Sequence, residues 1–469
     1  MPLHRQVYAG FRNAILRGDL AAGQQVPSSR SLAAELEISR FPVLDAYAQL
    51  LAEGYFETRV GAGTFVSATM PAQRSQPSND VPPTFTPRPT SRRSLLYPLS
   101  KPVPWRGGWG SFGVHQPALD QFPYEIWSRL VARHARDPRI NVIHRIDPLG
   151  LPAFREALCS YLRTARAVRC DPGQIMVVAG SQQALDITAR VLLDAGDGVW
   201  IEEPCYPLAR ALLLGSGCRP VPVPVDAEGL DVNEGLRLGS EARVAFVTPS
   251  HHYALGVTMS ASRRFQLLEW ARQSSSWIVE DDYDSEYRFE SMPIPSLQGL
   301  DTDGRVIYIG TFSKVLRPSL RLGYIVVPPD LVDRFTAVRH AMDIFPPYLF
   351  QEVLTDFMRA GHFGRHIRRM RTLYKARRTA LVDCLRSEFG DLLQIHGSEA
   401  GMHLTVTLPP GFSDVEVATA AAREKLWLWP LSLCYTGSPN RQGFLLGYAN
   451  TPEDQMAAAV RHLRLVLAL

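Results

Sequence analysis

The sequence predicts a two-domain chain: a small helical domain closed by a β-hairpin, followed by a large three-layer α/β domain with a mostly parallel sheet. Three observations support this division. Residues 1–66 show helix-type apolar spacing followed by two short strand-like runs, residues 67–112 are rich in proline and serine, and residues 113–469 alternate strand-like and helical segments. Alternation of strands and helices is typical of α/β domains.

Composition limits the classes of function. The chain has 469 residues, of which 46% are hydrophobic and 20% are charged, with a formal net charge of +4. That charge is too small to indicate a polyanionic partner by itself, so evidence for one must come from local pattern. The six cysteines form no C-x-x-C pair, and neither disulfides nor a metal site are expected. The sequence shows no signal peptide or membrane-spanning run, which predicts a cytoplasmic protein.

The front domain begins with an amphipathic helix. Apolar residues recur at four-residue spacing in HRQVYAGFRNAILRG, which ends at Gly18, a typical helix stop. The next stretch predicts a short helix capped by Ser28 or Ser29, a break at residues 37–39, and a second helix from about Arg40. YFETRVGAGTFV then predicts two strands around a glycine-containing turn. The whole segment therefore predicts a winged helix-turn-helix.

The same segment resembles a known family of regulators. VPSSRSLAAELEISRFPVLDAYAQLLAEGYFETRVGAGTFV is similar to the winged domain of the bacterial GntR family, whose pattern is LPSSRxLAxxLxVSRxTVxxAYxxLxxEGxxxxxxGxGTFV. The resemblance implies binding to double-stranded DNA. Arginines can pair with phosphates or guanine edges, and a helix N-terminus accepts a phosphate. By resemblance, the residues that contact DNA are Arg30, Ser39, Arg40, Gly61, Gly63 and Thr64.

Two features of the front domain are unusual for a DNA-binding domain of this family. Phe41 and Pro42 occupy positions where the family usually carries small polar residues. Residues 1–66 hold six Arg or Lys residues against six Asp or Glu residues, so this domain by itself has no net charge to attract phosphate. A helix-turn-helix that serves only protein interaction is the alternative.

A proline-rich, basic linker is expected at residues 67–112. The tract contains nine prolines and has neither a helical nor an alternating apolar period. Proline-rich composition predicts an extended, semi-stiff spacer. Six Arg or Lys residues against one Asp make the tract basic, so it could add to the attraction for DNA phosphates.

In the back domain, residues 113–469, polar residues that follow the predicted strands are the candidates for a site, because ligands bind at the carboxyl ends of parallel strands. IVEDDYDSEYRF places Asp281 and Tyr283 at such an end, and RVIYIGTFSKVLRPSLRLG places Lys314 at another. VVAGSQQALDITARVLL puts Gly-Ser-Gln at a helix start, which favours a phosphate. Each segment alone has a plainer interpretation: an acidic turn or calcium-like cluster, a helix cap, or a surface lysine.

Together these groups meet the requirements of pyridoxal 5′-phosphate (PLP), whose aldehyde forms a Schiff base with a lysine. The pattern resembles fold-type I aminotransferases, and most closely their regulatory relatives, in which GTFSKxLxPxLRLGYxVxP and EDDYDSEF/YR recur. By resemblance, Lys314 is the Schiff-base lysine and Asp281 pairs with the pyridinium nitrogen. Tyr283 would bond the phenolic oxygen, and Tyr206 of EEPCYP would stack on the ring. The implied phosphate ligands are Ser181, Gln182, Ser313 and Arg321.

The combination of both domains resembles the MocR, or GabR-like, subgroup of the GntR family over the whole chain. The resemblance implies a PLP-dependent transcription factor that forms a head-to-tail homodimer and binds an operator with repeated half-sites. An effector amine, an amino acid or PLP itself, sensed at Lys314, would alter operator binding or transcription. The alternative is a catalytically active PLP-dependent aminotransferase with an appended DNA-binding domain. The expected location is the bacterial cytoplasm, at the nucleoid when the protein is bound to DNA.

Two departures bear on enzymatic activity. Leu445 in FLLGYAN stands where many aminotransferases have an arginine that clamps the substrate carboxylate, with Arg441 as a candidate replacement. TPSHHYALG differs from the usual YPTG ending, and its His251 and His252 are interpreted as hydrogen-bonded polar residues rather than ligands. A domain used for sensing is therefore favoured over efficient amino-acid transamination, and a half-reaction is compatible with it.

Overall fold

The computed structural model of the protein describes residues 1–69, 88–98, 103–105, 110–137, 147–289, 294–397 and 399–467. The chain divides into two compact units, Met1–Pro89 and Thr90–Leu469. Among the described residues, no helix combines the length and apolar character that crossing a bilayer requires.

The front unit is the predicted winged helix-turn-helix. Its elements are α1 (Leu3–Arg17), α2 (Ser29–Glu35), α3 (Arg40–Ala52), β1 (Phe56–Arg59) and β2 (Gly63–Val66). α1 ends at Gly18, which adopts the left-handed conformation with a φ of 80°. Ser28 caps α2 by accepting a hydrogen bond from the Ser31 N–H at 3.1 Å. The rings of Phe11, Tyr47 and Phe56 pack edge to face with centroids 5.2 to 5.5 Å apart and hold α1, α3 and the hairpin together.

Much of the predicted linker lies outside the described residues, and its described later part is folded against the large unit. Residues Arg92–Leu96 form a 3-10 turn, and the Arg93 Nε–H donates to the carbonyl oxygen of Gly215 at 2.9 Å. The Tyr97 ring lies against Gly215, where a Cβ would collide with it. Trp105 is only 7% exposed. These residues therefore differ from the extended spacer that composition predicts, because Arg93 and Tyr97 contact Gly215 and the Trp105 side chain is buried.

The large unit alternates helices and strands. Its helices are α4 (Tyr124–Ala135), α5 (Pro152–Arg166), α6 (Ser181–Leu192), α7 (Pro207–Gly215), α8 (Val232–Gly239), α9 (Ala261–Ser274), α10 (Leu297–Leu300), α11 (Val332–Asp343), α12 (Leu349–Arg359), α13 (His362–Phe389), α14 (Asp414–Ala421) and α15 (Glu453–Leu467). Its strands are β3 (Ile175–Val178), β4 (Gly198–Glu203), β5 (Arg219–Asp226), β6 (Gly229–Leu230), β7 (Val244–Val247), β8 (Trp277–Asp282), β9 (Val306–Thr311), β10 (Gly323–Val326), β11 (Gln394–His396), β12 (His403–Thr407), β13 (Trp429–Pro430) and β14 (Gly443–Gly447). The six strand-like runs of the sequence, QIMVVAG, GVWIE, VAFVTPS, WIVEDDY, RVIYIG and GYIVVP, correspond to β3, β4, β7, β8, β9 and β10.

The main sheet has the order β3-β10-β9-β8-β7-β4-β5-β6. Strands β9, β8, β7, β4 and β5 pair in parallel, whereas β10 runs antiparallel to both β3 and β9. A second sheet, β11-β12-β14-β13, is antiparallel near the C-terminus. The main sheet is thus mostly parallel, as predicted, and the carboxyl ends of its parallel strands meet at one edge.

Helices cover both faces of the main sheet. On one face, Phe154 of α5 and Val353 of α12 pack against Tyr308 of β9. On the other face, Ile187 of α6 and Phe335 of α11 belong to the core that includes the remaining side chains of the same strands. This three-layer arrangement explains why the strands are continuous apolar runs: both of their faces are buried.

Candidate functional site

A cavity of about 110 Å³ lies at the carboxyl ends of the parallel strands. It brings together the eight PLP-site residues that the sequence predicts, namely Ser181, Gln182, Tyr206, Asp281, Tyr283, Ser313, Lys314 and Arg321. Five further residues also line it: His115, Gly180, Thr248, Tyr253 and Thr311. Because residues from across the large unit converge on one enclosed space, the cavity is the candidate functional site.

Lys314 follows β9 and has an unusually acidic ammonium group. Burial is the main cause that lowers the pKa of Lys314 to about 8; Asp284 and Asp281 oppose this shift, and the nearby Arg321 adds to it. A lysine must be neutral to attack a carbonyl carbon, so this environment prepares the side chain for a Schiff base near neutral pH.

Asp281 lies within β8 and is only 5% exposed. Its Oδ1 has no hydrogen-bond partner among the described residues. Burial, followed by repulsion from Asp282, raises the pKa of Asp281 to about 7, while Lys314 lowers it. A buried carboxylate without a partner is costly, so the site is suited to a cation or N–H donor placed beside this oxygen. A protonated pyridine nitrogen is such a group.

The hydroxyl group of Tyr283 contacts a buried histidine. Its hydroxyl lies 3.0 Å from Nδ1 of His251, and that nitrogen is 3.1 Å from Oδ1 of Asp284. Because His251 and Asp284 are buried, this chain of contacts fixes the position of the phenol. His252 also has a protein partner, since its Nδ1 accepts the Leu255 N–H at 3.0 Å.

His403 is a third polar side chain close to His251 and Asp284. His251, Asp284 and His403 present nitrogen and oxygen atoms within 4.8 Å of one another. Asp284 accepts the Met402 N–H at 3.1 Å, and Nε2 of His403 lies 2.9 Å from the Tyr253 carbonyl oxygen. These hydrogen bonds make the cluster a support for the tyrosines of the cavity wall.

A group of N–H donors is suited to a phosphate at the start of α6. Gly180 precedes the helix with a φ of 114°, a conformation that favours glycine. A Cβ at Gly180 would lie 3.5 Å from Nη2 of Arg321, so the guanidinium is close to the helix N-terminus. Helix N–H groups together with a guanidinium form a typical anion site.

One wall of the cavity is aromatic, and a second cavity adjoins it there. The Tyr206 and Tyr253 rings lie 4.8 Å apart between centroids, and the His115 ring is 5.2 Å from that of Tyr253. These three residues also line a neighbouring space of about 230 Å³, which we call the aromatic cavity. Its other lining residues are Trp105, Gly113, Val114, Gln116, Pro207, Leu208, Trp427 and Trp429.

Leu445, which stands where many aminotransferases have the carboxylate-clamping arginine, lies in apolar surroundings. Leu445 of β14 is fully buried and packs in a cluster with Tyr253, Tyr283 and Leu431. Arg441 lines a separate surface cleft with Asp391. Arg441 is not among the residues that line the cavity of Lys314, so the structure gives no support to the suggestion that it replaces the clamp.

The predicted DNA contacts lie on the front unit, and most of them are exposed. Arg30 and Arg40 are exposed, and Ser39 is the N-cap of α3 with no side-chain capping bond, so its hydroxyl is available. The wing turn contains Gly61 and Gly63 at φ values of 75° and 111°, and the partly buried Thr64 follows in β2.

Sequence reasoning missed several lining residues. Tyr253 follows the histidine pair of TPSHHYALG, and His115 lies just beyond the predicted linker. Neither position stands directly after a strand-like run, so the rule that located Lys314 and Asp281 did not reach them. The signal that could have found them is a local concentration of aromatic residues, which is weak because aromatic residues are also common in cores.

Comparison with known proteins agrees with both units. Residues 3–66 match the family model of bacterial regulatory proteins of the gntR family, and residues 131–463 match that of aminotransferase class I and II. The chain is 41% identical over 466 residues to the probable rhizopine catabolism regulatory protein MocR of Rhizobium meliloti, covering 99% of this chain and 93% of that protein.

Two further relatives extend the comparison. The pyridoxine biosynthesis transcriptional regulator PdxR of Corynebacterium glutamicum is 30% identical and is matched over 96% of this chain and 93% of its own length. Kynurenine aminotransferase of Pyrococcus horikoshii, solved in complex with PMP, superposes with a TM-score of 0.73 at 27% identity, covering 81% of this chain and 96% of the aminotransferase.

Proposed function

The chain belongs to the MocR-type transcriptional regulators of the GntR family, and we propose that its regulatory output responds to an amine, an amino acid or PLP at Lys314. The observation that carries this proposal is a DNA-binding unit joined in one chain to a cavity with every group that PLP requires. When bound, PLP supplies an electrophilic carbon that captures amines reversibly. Such capture gives a regulator a chemical means of sensing amines.

The residues of the cavity fit the cofactor on observations independent of the resemblance. Asp281 offers an unpaired buried oxygen to a ring nitrogen, and the start of α6 with Arg321 offers donors to a phosphate. Tyr283 is positioned to hold a phenolic oxygen, and Tyr206 lies on the cavity wall where a ring would pack. Lys314 would supply the amine that holds the aldehyde.

The DNA partner and the assembly are the second part of the proposal. Arg30, Ser39 and Arg40 with the wing would contact an operator of repeated half-sites, and a homodimer would present two such units. Binding to chromosomal DNA implies a location in the bacterial cytoplasm. The effector would act through its different affinities for the DNA-competent and DNA-incompetent arrangements of the dimer.

An active aminotransferase is the second candidate. The likeness of the large unit to kynurenine aminotransferase favours it. The buried, apolar packing of Leu445 disfavours turnover of amino acids, because a leucine stands where many aminotransferases have the arginine that clamps the substrate carboxylate. Repeated turnover with an α-keto acid acceptor would support this candidate.

The decisive experiment is a footprint of the PLP-loaded protein on DNA upstream of its own gene, with a scrambled duplex as control. We expect two protected half-sites, and a change in their protection when an effector is added. Lys314→Ala should bind the operator but lose the visible absorbance of the lysine-bound cofactor. Protection that is no stronger than on the scrambled duplex would contradict operator binding at this locus.

A further inference from the structure

One ring nitrogen of His251 lies between two polar groups. Its Nδ1 is 3.1 Å from Oδ1 of Asp284 and 3.0 Å from the hydroxyl oxygen of Tyr283. The side chains of His251 and Asp284 are each only 1% exposed, so water does not compete for these contacts. A neutral imidazole nitrogen either carries a hydrogen and donates it, or has a lone pair and accepts one. The position of the single ring proton therefore decides where the Tyr283 hydroxyl hydrogen can point.

The contacts of Asp284 favour a proton on Nδ1 of His251. Oδ2 of Asp284 accepts the Met402 N–H at 3.1 Å. A buried, ionised carboxylate needs a donor at its second oxygen as well, because unpaired buried charge is costly. If Nδ1 carried no hydrogen, its lone pair would face Oδ1 at 3.1 Å without any bond between them. With a hydrogen on Nδ1, both oxygens of Asp284 are satisfied.

The second ring nitrogen of His251 supports the same assignment. Its Nε2 is buried and has no hydrogen-bond partner among the described residues, and a Cβ built on Gly256 would lie only 3.1 Å from it. A hydrogen on Nε2 would be a buried donor without an acceptor, which is rare and costs free energy. In the adjacent His403, by contrast, Nε2 must donate, because it lies 2.9 Å from the carbonyl oxygen of Tyr253.

This tautomer determines the role of the Tyr283 hydroxyl. When Nδ1 of His251 carries the proton, it has no lone pair to accept the hydroxyl hydrogen. The phenol oxygen can share the Nδ1–H as an acceptor, and its own hydrogen is left for another group. Burial raises the pKa of Tyr283 well above its ordinary value, so the hydroxyl keeps that hydrogen. Since Tyr283 lines the cavity of Lys314, a ligand oxygen in the cavity is the available acceptor.

We propose that Asp284, acting through the Nδ1–H tautomer of His251, holds Tyr283 as a hydrogen-bond donor to the phenolic oxygen of the cofactor. Asp284 and His251 are positioning residues, since they act through Tyr283. The inference rests on the proposed function and adds to it a control of the cofactor's charge. A donor at the phenolic oxygen stabilises its negative charge, and so favours loss of the proton that this oxygen shares with the lysine-bound nitrogen.

The tautomer can be measured directly on the full-length, PLP-loaded protein. Magic-angle-spinning NMR of protein labelled with ¹⁵N-histidine shows which ring nitrogens carry a hydrogen near neutral pH. His251→Asn and His403→Gln identify the signals of these two residues by their loss. We expect a hydrogen on Nδ1 of His251 and on Nε2 of His403. An Nδ1 of His251 without a hydrogen would overturn the proposal, and this measurement needs no variant to remain folded at the Asp284 position.

The effect on the cofactor is read from the pH midpoint of the visible absorbance of lysine-bound PLP. Tyr283→Phe removes the donor and should raise this midpoint by about one pH unit or more. Asp284→Asn changes both the charge near Lys314 and the tautomer of His251, because the amide oxygen can take the Met402 N–H and its NH₂ group then faces Nδ1. In the Tyr283→Phe background, the same substitution changes the charge without a hydroxyl to redirect.

Comparison of the two backgrounds isolates the tautomer from the charge. With Tyr283 present, Asp284→Asn should place the midpoint about half a pH unit or more higher, relative to its effect in the Tyr283→Phe background. His251→Asn keeps an N–H donor near the Nδ1 position and should stay close to the wild-type midpoint. Equal shifts by Asp284→Asn in both backgrounds would overturn the proposal.

His403→Gln is the matched control, because it keeps a donor near the Nε2 position and its residue does not contact the Tyr283 hydroxyl. It should shift the midpoint equally in both backgrounds, and a difference as large as that of Asp284→Asn would overturn the proposal. The ionisable groups that act on Tyr283 or Lys314 are Asp284, Tyr253, Asp281, Glu202 and Arg321. Because only Asp284 is changed, the contributions of the others cancel in the comparison.

Failure of the proposed function has a different signature. A wild-type preparation without the visible absorbance of lysine-bound PLP would contradict the cofactor, and one without a DNA footprint would contradict the regulator. A preparation that shows both, but has the other tautomer of His251 or equal shifts in the two backgrounds, contradicts only the role of Asp284 and His251.

Discussion

Burial acts in opposite directions on the two ionisable groups that matter most in the cavity. It lowers the pKa of the Lys314 ammonium to about 8 and raises the pKa of the Asp281 carboxyl to about 7. In both cases the neutral form is favoured, because the surroundings cannot solvate a charge. The cavity by itself therefore favours the neutral forms of both groups, and a protonated ring nitrogen placed beside Asp281 would instead favour its ionised form.

The pH dependence of cofactor attachment follows from Lys314. The neutral amine is the reactive form, so the rate at which PLP attaches should rise with pH through a midpoint near 8. Stopped-flow absorbance between pH 6 and 10 measures this rate, and a short lysine peptide provides the control for an ordinary amine. A midpoint close to 10 would mean that the side chain is not desolvated as described.

Replacing Asp281 by asparagine should raise the stability of the cofactor-free protein and lower its affinity for PLP. The folded carboxyl has a pKa of about 7, above its ordinary value, so its protonated form favours folding at low pH and this contribution is lost as pH rises to about 7. Asp281→Asn carries no ionisable carboxyl, so the variant does not lose stability in this way as the pH rises. At pH 8 the cofactor-free variant should be more stable by on the order of 4 kcal/mol at most, since each pKa unit corresponds to about 1.4 kcal/mol.

Thermal unfolding with and without PLP measures both effects of the asparagine variant. The wild-type protein should gain more from added PLP than Asp281→Asn, because an amide holds a protonated ring nitrogen poorly. Asp45→Asn, an exposed carboxylate on the front unit, is the control. A variant that loses stability at pH 8 and keeps full PLP affinity would contradict the role of Asp281.

At the scale of elements, α3 presents an apolar face where recognition helices are usually polar. Phe41 is 72% exposed and Leu44 is 43% exposed, and the exposed Ala48 lies one further turn along the same face. Apolar side chains read DNA through the C5-methyl group of thymine. Arg30 and Arg40 beside this face can hold the phosphates that set its register.

Base recognition by Phe41 should therefore depend on thymine methyl groups. Replacing thymine by deoxyuridine at the contacted half-site position removes only that methyl and should weaken wild-type binding several-fold. Phe41→Ser should bind both duplexes equally. Leu465→Ser, which removes a similarly exposed apolar residue from the large unit, should retain the discrimination. Electrophoretic mobility shifts at fixed salt compare the four combinations, and equal wild-type affinity for both duplexes would exclude methyl recognition.

At the scale of the whole molecule, a front unit without net charge would gain DNA affinity by acting together with a second copy. Residues 1–66 balance six basic against six acidic residues, so the phosphate attraction of one unit is modest. Linking two units in a homodimer makes the second contact intramolecular and raises affinity without new contacts.

The affinity for the operator should consequently depend on the presence and spacing of both half-sites more than on the sequence of either one. Scrambling one half-site should weaken binding by about 10²-fold or more. Changing the spacing by half a helical turn should weaken it comparably, since the two units would face opposite sides of the duplex. Fluorescence anisotropy with labelled duplexes measures both, and an affinity that survives either change would indicate binding as single units.

Local pattern was sufficient to predict the elements and residues that depend on short stretches of sequence. The capped helices, the hairpin, the six strand runs and the lysine after β9 follow from spacing and from residues at strand ends. The antiparallel direction of β10 and the fold of residues 92–98 and 103–105 did not follow, because both depend on contacts with distant parts of the chain. For the same reason the sequence did not show which cleft Arg441 lines, and the three tryptophans of the aromatic cavity converge only in the folded unit.

The boundary between Pro89 and Thr90 has a practical consequence. The front unit folds around its own aromatic core, and the large unit holds its own cavity. Each unit can therefore be exchanged separately among related proteins. Joining the large unit to the head of a relative with a known promoter would convert effector binding into transcription of a chosen reporter. Such a fusion would use the large unit as the sensing half of a modular biosensor for the effector proposed above.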